Sequence, residues 1–278
     1  MKKVIYIITI ITILITTFSC QEVVNVDLET AQERLVIEAL INWEKGTLGN
    51  EQIIKLSKTS SFYNNQFLFV TGASVKLTNK TTLQEFVFID NNDGLYSNTS
   101  FVPVLHNIYT LEINYNGEIY IAEETLLPAP DITGVTQSIE NGFSQEEPEV
   151  NVSFQDFIGQ EDYYRIAISH YRPSTNEVVE DIKATYDSSF EEDNILSIWY
   201  ENDNLEIDDE ISISIYKITY PFYNFLEVLA QQANAGIGPF ASPPVNVKGN
   251  CVNTTKETNY PYGYFSINEI NTIVHTFE

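Results

Sequence analysis

The chain has little positive charge: 14 lysines and arginines stand against 39 acids, a formal charge of −25 over 278 residues. A surface of that sign repels nucleic-acid phosphates and anionic lipid headgroups, so binding to nucleic acid through a basic face is excluded. Histidine is scarce as well, with His106, His170 and His275 as the only candidates for a general base. None stands in a motif that would activate a nucleophile: there is no Gly-x-Ser-x-Gly elbow and no His-Glu-x-x-His pair. No catalytic residue, metal site or cofactor is therefore expected. Cysteine occurs twice, as Cys20 and Cys251. If Cys20 is modified, no intramolecular disulfide can form, and stability has to come from packing alone. Long apolar runs are missing too. The longest, from Val4 to about Thr16, holds roughly 13 to 15 residues, against about 20 for a helix that crosses a bilayer.

That short run carries information through its surroundings. Lys2 and Lys3 precede it, and small Ser19 followed by Cys20 closes it. The order basic, apolar, small, cysteine is that of a lipoprotein signal peptide, with residues 1–19 removed and acyl chains placed on Cys20. Thr17, three before the cysteine, departs from the usual aliphatic residue there; an ordinary secretory signal is the alternative. Two or three acyl chains would hold the protein firmly, since each buried methylene contributes about 0.8 kcal/mol. The acidic, polar residues 21–33 then read as part of an anchor and tether spanning 20–33.

From Arg34 onward the chain reads as all-β. Hydrophobic residues make up 43% and Tyr plus Phe number 17 and 16, which argues against disorder despite the charge. Ala73, Val75 and Leu77 alternate with Ser74, Lys76 and Thr78, the mark of a strand with one buried face. Tyr109, Leu111 and Ile113 repeat the pattern, as do Ile211, Ile213 and Ile215. Asp90-Asn91-Asn92-Asp93-Gly94 predicts a hairpin turn. It fails as an EF-hand loop, because Gly94 falls at position five and no Glu stands at position twelve. The two prolines of Leu126-Leu127-Pro128-Ala129-Pro130 suggest a boundary. The expected architecture is thus mainly β: two tandem β-sandwich domains of immunoglobulin or transthyretin type, over 34–127 and 128–278. The second carries one amphipathic helix near 221–232, where Phe222, Phe225, Leu226 and Leu229 recur at helical spacing behind Pro221.

Candidate binding features are sparse. Phe62 and Tyr63 sit together in a polar stretch, where their rings could stack on a sugar or fill a pocket on a protein partner. Tyr260 to Phe265 forms a second aromatic cluster, of which alternation sends about half inward. Glu201, Asp203, Glu206, Asp208, Asp209 and Glu210 read as a solvated acidic loop, with weak cation binding as the alternative. Carboxylates are too many for composition to single out a glycosidase pair, which requires a separation of roughly 5 to 9.5 Å.

Several short segments, in their order along the chain, carry a family resemblance. They are Cys20 with acids after it, Arg34-Leu35-Val36-Ile37-Glu38, Gly72-Ala73-Ser74-Val75 and Asp93-Gly94-Leu95-Tyr96. Pro239-Phe240, Val245-Asn246-Val247-Lys248-Gly249-Asn250 and Gly263-Tyr264-Phe265 complete the set. Together they resemble the uncharacterised lipoproteins grouped as domain-of-unknown-function family 4249. The resemblance implies an accessory lipoprotein of the outer membrane that accompanies a TonB-dependent transporter, and it brings no catalytic residues. The resulting expectation is a non-enzymatic, lipid-anchored module, displayed at the cell surface or else on the periplasmic face. The alternatives are a carbohydrate-binding or carbohydrate-cleaving surface lipoprotein and a structural or adhesion protein of the envelope.

Overall fold

Alternation decides the local structure almost everywhere. The computed structural model describes residues 32–60, 68–139, 148–157, 161–187, 194–233 and 245–278. The signal segment, Cys20, nearly all of the tether, and Phe62 with Tyr63 lie outside these residues. Among the described residues, sixteen strands and one helix follow one another. The first eight are β1 (Leu35–Glu44), β2 (Gln52–Lys58), β3 (Leu68–Phe69), β4 (Ser74–Asn79), β5 (Glu85–Asp90), β6 (Leu95–Asn98), β7 (Ile108–Tyr115) and β8 (Glu118–Thr125). Then come β9 (Ile132–Ser138), β10 (Glu149–Gln155), β11 (Tyr163–Arg172), β12 (Glu177–Asp187), β13 (Ile195–Glu201) and β14 (Glu210–Ile218). Helix α1 (Tyr220–Ala233), β15 (Val252–Asn253) and β16 (Tyr262–Thr276) complete the chain. The expected rows are buried: Val75 and Leu77 in β4, Tyr109, Leu111 and Ile113 in β7, Ile211, Ile213 and Ile215 in β14. The expected hairpin forms at Asp90–Gly94, where β5 returns as β6 with Asp90 opposite Tyr96.

The strands form one large mixed sheet and one small sheet. The large sheet runs β12-β11-β14-β16-β1-β2-β6-β5-β4-β7-β8-β15, with β3 beside β2, and the small one runs β13-β10-β9. The large sheet doubles over at β5, which pairs with β6 on one side and β4 on the other. A first core fills the fold, drawing Ile37, Ile41, Ile54 and Leu56 from one layer and Leu77, Phe86, Tyr109 and Ile113 from the other. The small sheet covers the far end of the large one. There Val150, Val152 and Phe154 of β10 meet Tyr164, Ile166, Ile213 and Ile215 in a second core. The architecture is therefore mainly β, built of layered sheets with a single helix among the described residues.

The observed organisation differs from the expected split at residues 127/128. β16 pairs in parallel with β1 from Val36↔Tyr262 to Glu44↔Ile270, and then antiparallel with β14 from Tyr216↔Ile270 to Glu210↔Thr276. Its first half places Phe265 and Ile267 in the first core, which Cys251 also joins, while its end carries Phe277 into the second. The chain therefore does not divide into consecutive halves, and residues 33–278 form one unit. The proline segment runs along this shared strand: Ala129 N–H donates to the Glu269 carboxylate at 2.9 Å, and Asn271 donates to the Pro130 carbonyl at 2.8 Å. The expected helix near 221–232 forms as α1, Tyr220–Ala233. Phe222 is buried against Tyr264 and Ile218, with Phe225 and Leu226 packed beside it, but Leu229 remains 45% exposed. The helix packs Phe222 onto Ile218 and Tyr264, and its Glu227 accepts from Thr185 of β12.

The family-like segments at the two ends of the chain meet at one corner. Gly263 has φ +88°, and a Cβ there would lie 2.0 Å from the Ile37 carbonyl oxygen. A Cβ on Gly249 would lie 1.6 Å from the Gly263 oxygen. Backbones this close leave no room for any side chain. Asn250 locks the crossing, since its amide donates to the Phe265 carbonyl and its side-chain oxygen accepts from the Phe265 N–H. Arg34 donates to the carbonyls of Thr258 and Tyr260, and both Arg34 and Lys248 stand 3.8 Å from the centre of the Tyr260 ring.

Candidate functional site

The inward row Ile211, Ile213, Ile215 of β14 continues one step further to Lys217. Strand alternation thus drives a lysine onto the core face, and it is only 8% exposed. A buried ammonium needs a partner, and Asp162, 3% exposed, supplies one at 2.7 Å. The register explains the meeting: Tyr163 pairs with Ile218, so Asp162 precedes β11 just where β14 ends. The Phe157 ring closes over the ammonium at 3.9 Å. This pair lies in a cleft of about 390 Å³ between the two cores, walled by Leu127 and Pro128 on one side and by Tyr163 and Tyr220 on the other. His106 and Glu161 stand exposed at its rim.

The aromatic wall is built by the start of α1. The Tyr163 ring lies 5.1 Å from that of Tyr220 and 4.8 Å from that of Tyr223. Tyr220 keeps 57% of its surface exposed, so part of its ring is open to solvent. Thr219 lines the cleft and donates to Glu124 at 3.1 Å. Burial raises the pKa of Glu124 above the usual carboxylate range, against the opposing pull of that hydrogen bond and one from the Thr125 N–H. The arrangement offers paired donors and acceptors and an exposed aromatic face.

The residues that the sequence singled out elsewhere serve the fold. His170 is fully buried and bridges the Tyr200 hydroxyl at 2.8 Å and Asp209 at 2.7 Å. Arg172 clamps the same carboxylate through two nitrogens at 3.0 and 2.8 Å. Burial opposes ionisation of Asp209, yet the hydrogen bonds from Arg172, the Glu206 N–H and His170 win and hold its carboxyl far below its ordinary value. Asp209 is thus a structural acid within the acidic stretch, and no group of three metal-ligating side chains exists among the described residues. His275 contacts Gln137 at 2.7 Å, and His106 is exposed at the cleft rim. The Cys251 thiol, buried in the first core, is pushed up to about 12 by desolvation, which leaves it inert at neutral pH. Tyr264 and Phe265 point to opposite faces of β16, both buried, while Tyr260 and Tyr262 are half-buried. Lys217 and Asp162 went unmarked in the sequence. Their signal was there: a lysine at the inward position of an isoleucine row.

A family model described as Domain of unknown function (DUF4249) matches residues 21–272. The chain belongs to this family. No curated protein matches the DUF4249 chain. Among solved structures, the FN1–FN3 domains of chicken CNTN1 match at 12% identity and TM-score 0.28, over 66% of this chain and 57% of that one. A DUF4785 family protein from Legionella pneumophila matches at 10% identity and TM-score 0.26, over 66% and 52%. A BSP domain of a biofilm associated protein matches at 12% identity and TM-score 0.24, over 66% and 26%. The DUF4249 chain spans about half the length of the first two of these and about a quarter of the third.

Proposed function

We propose that this DUF4249 protein is a non-enzymatic, lipid-anchored module of the outer membrane that captures a ligand and presents it to a TonB-dependent transporter. The observation that carries the reading is the signal segment ending at Cys20, which ties the fold to a bilayer. Acyl chains on Cys20 anchor it, and the tether of residues 20–33 reaches at most about 50 Å when fully extended. The domain therefore works within a short distance of the membrane, on the cell surface or, as the alternative, on the periplasmic face. Layered sheets of immunoglobulin or transthyretin type suit such a module, being a rigid frame that carries loops and clefts.

Among the described residues no helix is long and apolar enough to span a bilayer. Among the described residues His170 and His275 hydrogen-bond within the fold and Cys251 lies in the first core, contacts that accord with a binding role. The test is affinity purification of the tagged chain from detergent-solubilised outer membrane, with mass spectrometry of Cys20 and of co-purifying proteins. Diacylated or triacylated Cys20 together with a TonB-dependent channel is the expected result, and Cys20→Ser should release the protein from the membrane fraction. Unmodified Cys20 would overturn the anchor, and an acylated protein recovered alone would overturn the transporter partnership.

A further inference from the structure

We propose that the cleft between the two cores binds a neutral saccharide, one or two rings in size, stacked on Tyr220 and Tyr163 above the Lys217–Asp162 pair. This deepens the ligand-capturing role by naming the class of ligand.

The argument begins with Lys217. A buried ion pair is no better for stability than two well-packed apolar side chains, and it is often worse. Its place at the floor of a cleft of about 390 Å³ is therefore more than a packing solution. A volume near the lower end of small-molecule pockets suits a mono- or disaccharide and not a long polymer or a folded partner. Charge narrows the class. The pair is neutral as a unit, and Asp162 and the Phe157 face are already engaged by the Lys217 ammonium. A second cation would meet that ammonium at the floor, and an anion would enter against Glu161 and a formal charge of −25 over the chain. A neutral ligand avoids both penalties.

The walls narrow it again. Tyr220 is 57% exposed and is held in place by Tyr163 and Tyr223. The negative face of such a ring attracts the weakly positive C–H edge of a pyranose. The exposed Glu161 at the rim supplies an acceptor for hydroxyls around that face. A purely apolar ligand would strip water from that carboxylate at a cost. A polyhydroxylated ring satisfies both the aromatic face and the polar rim.

The experiment uses the purified full chain in detergent. Calorimetric titration and saturation-transfer NMR are run with glucose, galactose, mannose, N-acetylglucosamine, maltose, cellobiose and lactose. At least one should bind, and Tyr220→Ala should weaken that binding about tenfold, in line with a stacking loss near 1.4 kcal/mol. Lys217→Met removes the charged floor and should weaken it as well. Trp199→Ala, on the separate apolar cleft beside β12 and β13, should leave it unchanged. Glucosamine and glucuronate, the charged counterparts, should bind at least tenfold more weakly than the best neutral sugar. Tyr220→Ala alters an exposed ring, so its thermal midpoint should match the parent and keep the result interpretable. The proposal fails if no sugar in the panel binds or if binding survives both cleft substitutions. It also fails if binding is lost on Trp199→Ala, or if a charged sugar binds as well as a neutral one. Because the isolated protein is used, these outcomes are independent of whether a transporter co-purifies.

Discussion

At the scale of single residues, the tightest constraint is a glycine. Gly263 combines a left-handed backbone with a carbonyl that a Cβ would approach to 2.0 Å, and that carbonyl belongs to the neighbouring strand β1. Neither backbone can yield without breaking the parallel pairing that joins the two cores. Gly263→Ala should therefore cost at least about 3 kcal/mol or prevent folding. Gly134→Ala in β9, where nothing lies within 4 Å of the added carbon, should stay within about 0.5 kcal/mol of the parent. Thermal or urea unfolding of the two variants checks the contrast, and equal stability would refute the close-approach account. Sequence alone showed that Gly263 stood in a family-like segment. It could not show that the reason was Ile37, more than two hundred positions earlier in the chain.

At the scale of elements, the polar network around Asp209 ties the start of β14 to the end of β11 and, through Tyr200, to β13. The carboxylate accepts from Arg172, His170 and the Glu206 N–H, so removing its charge strands several buried donors. Asp209→Asn should destabilise the protein by about 3 to 5 kcal/mol at pH 7. The sign of the pH dependence follows from the depressed folded pKa. A carboxyl whose pKa is lowered on folding contributes stability that is fully present above its unfolded value of about 3.9 and is lost as pH falls toward the folded value. The gap between the parent and Asp209→Asn should therefore shrink as pH drops below about 4. Chemical unfolding from pH 7 to pH 2.5 measures it, and a gap that is constant across this range would rule out an ionised, clamped Asp209. The elements themselves were largely legible, because period-two alternation survives in β4, β7 and β14 and helical spacing survives in α1. β9 and β15 were not, being short or weakly alternating, and the fifteen-residue length of β16 emerges only from its pairing with β1 and β14.

At the scale of the whole molecule, β16 decides how the chain behaves as a unit. It pairs with β1 in one core and β14 in the other, so the two regions are completed by the same strand. A fragment of residues 33–130 would leave β1 with an open edge and the first core without Phe265 and Ile267. Such a fragment should fail to fold alone, with poor NMR dispersion and no cooperative transition, and adding a peptide of residues 245–278 should restore part of the structure. A well-folded fragment would show that β16 is dispensable to the first core.

The sequence by itself determined the composition limits, the strand and helix periods, the turn at Asp90–Gly94 and the order of segments that marks the family. These are local or additive properties, set by neighbours a few residues away or by totals over the chain. Tertiary structure alone decided that the last strand belongs to both cores, that Gly249 and Gly263 must be glycine, and that Lys217 meets Asp162 in a cleft walled by tyrosines. Each of these depends on which distant strands lie side by side. Alternation tells which face of a strand is apolar and leaves open what that face will meet.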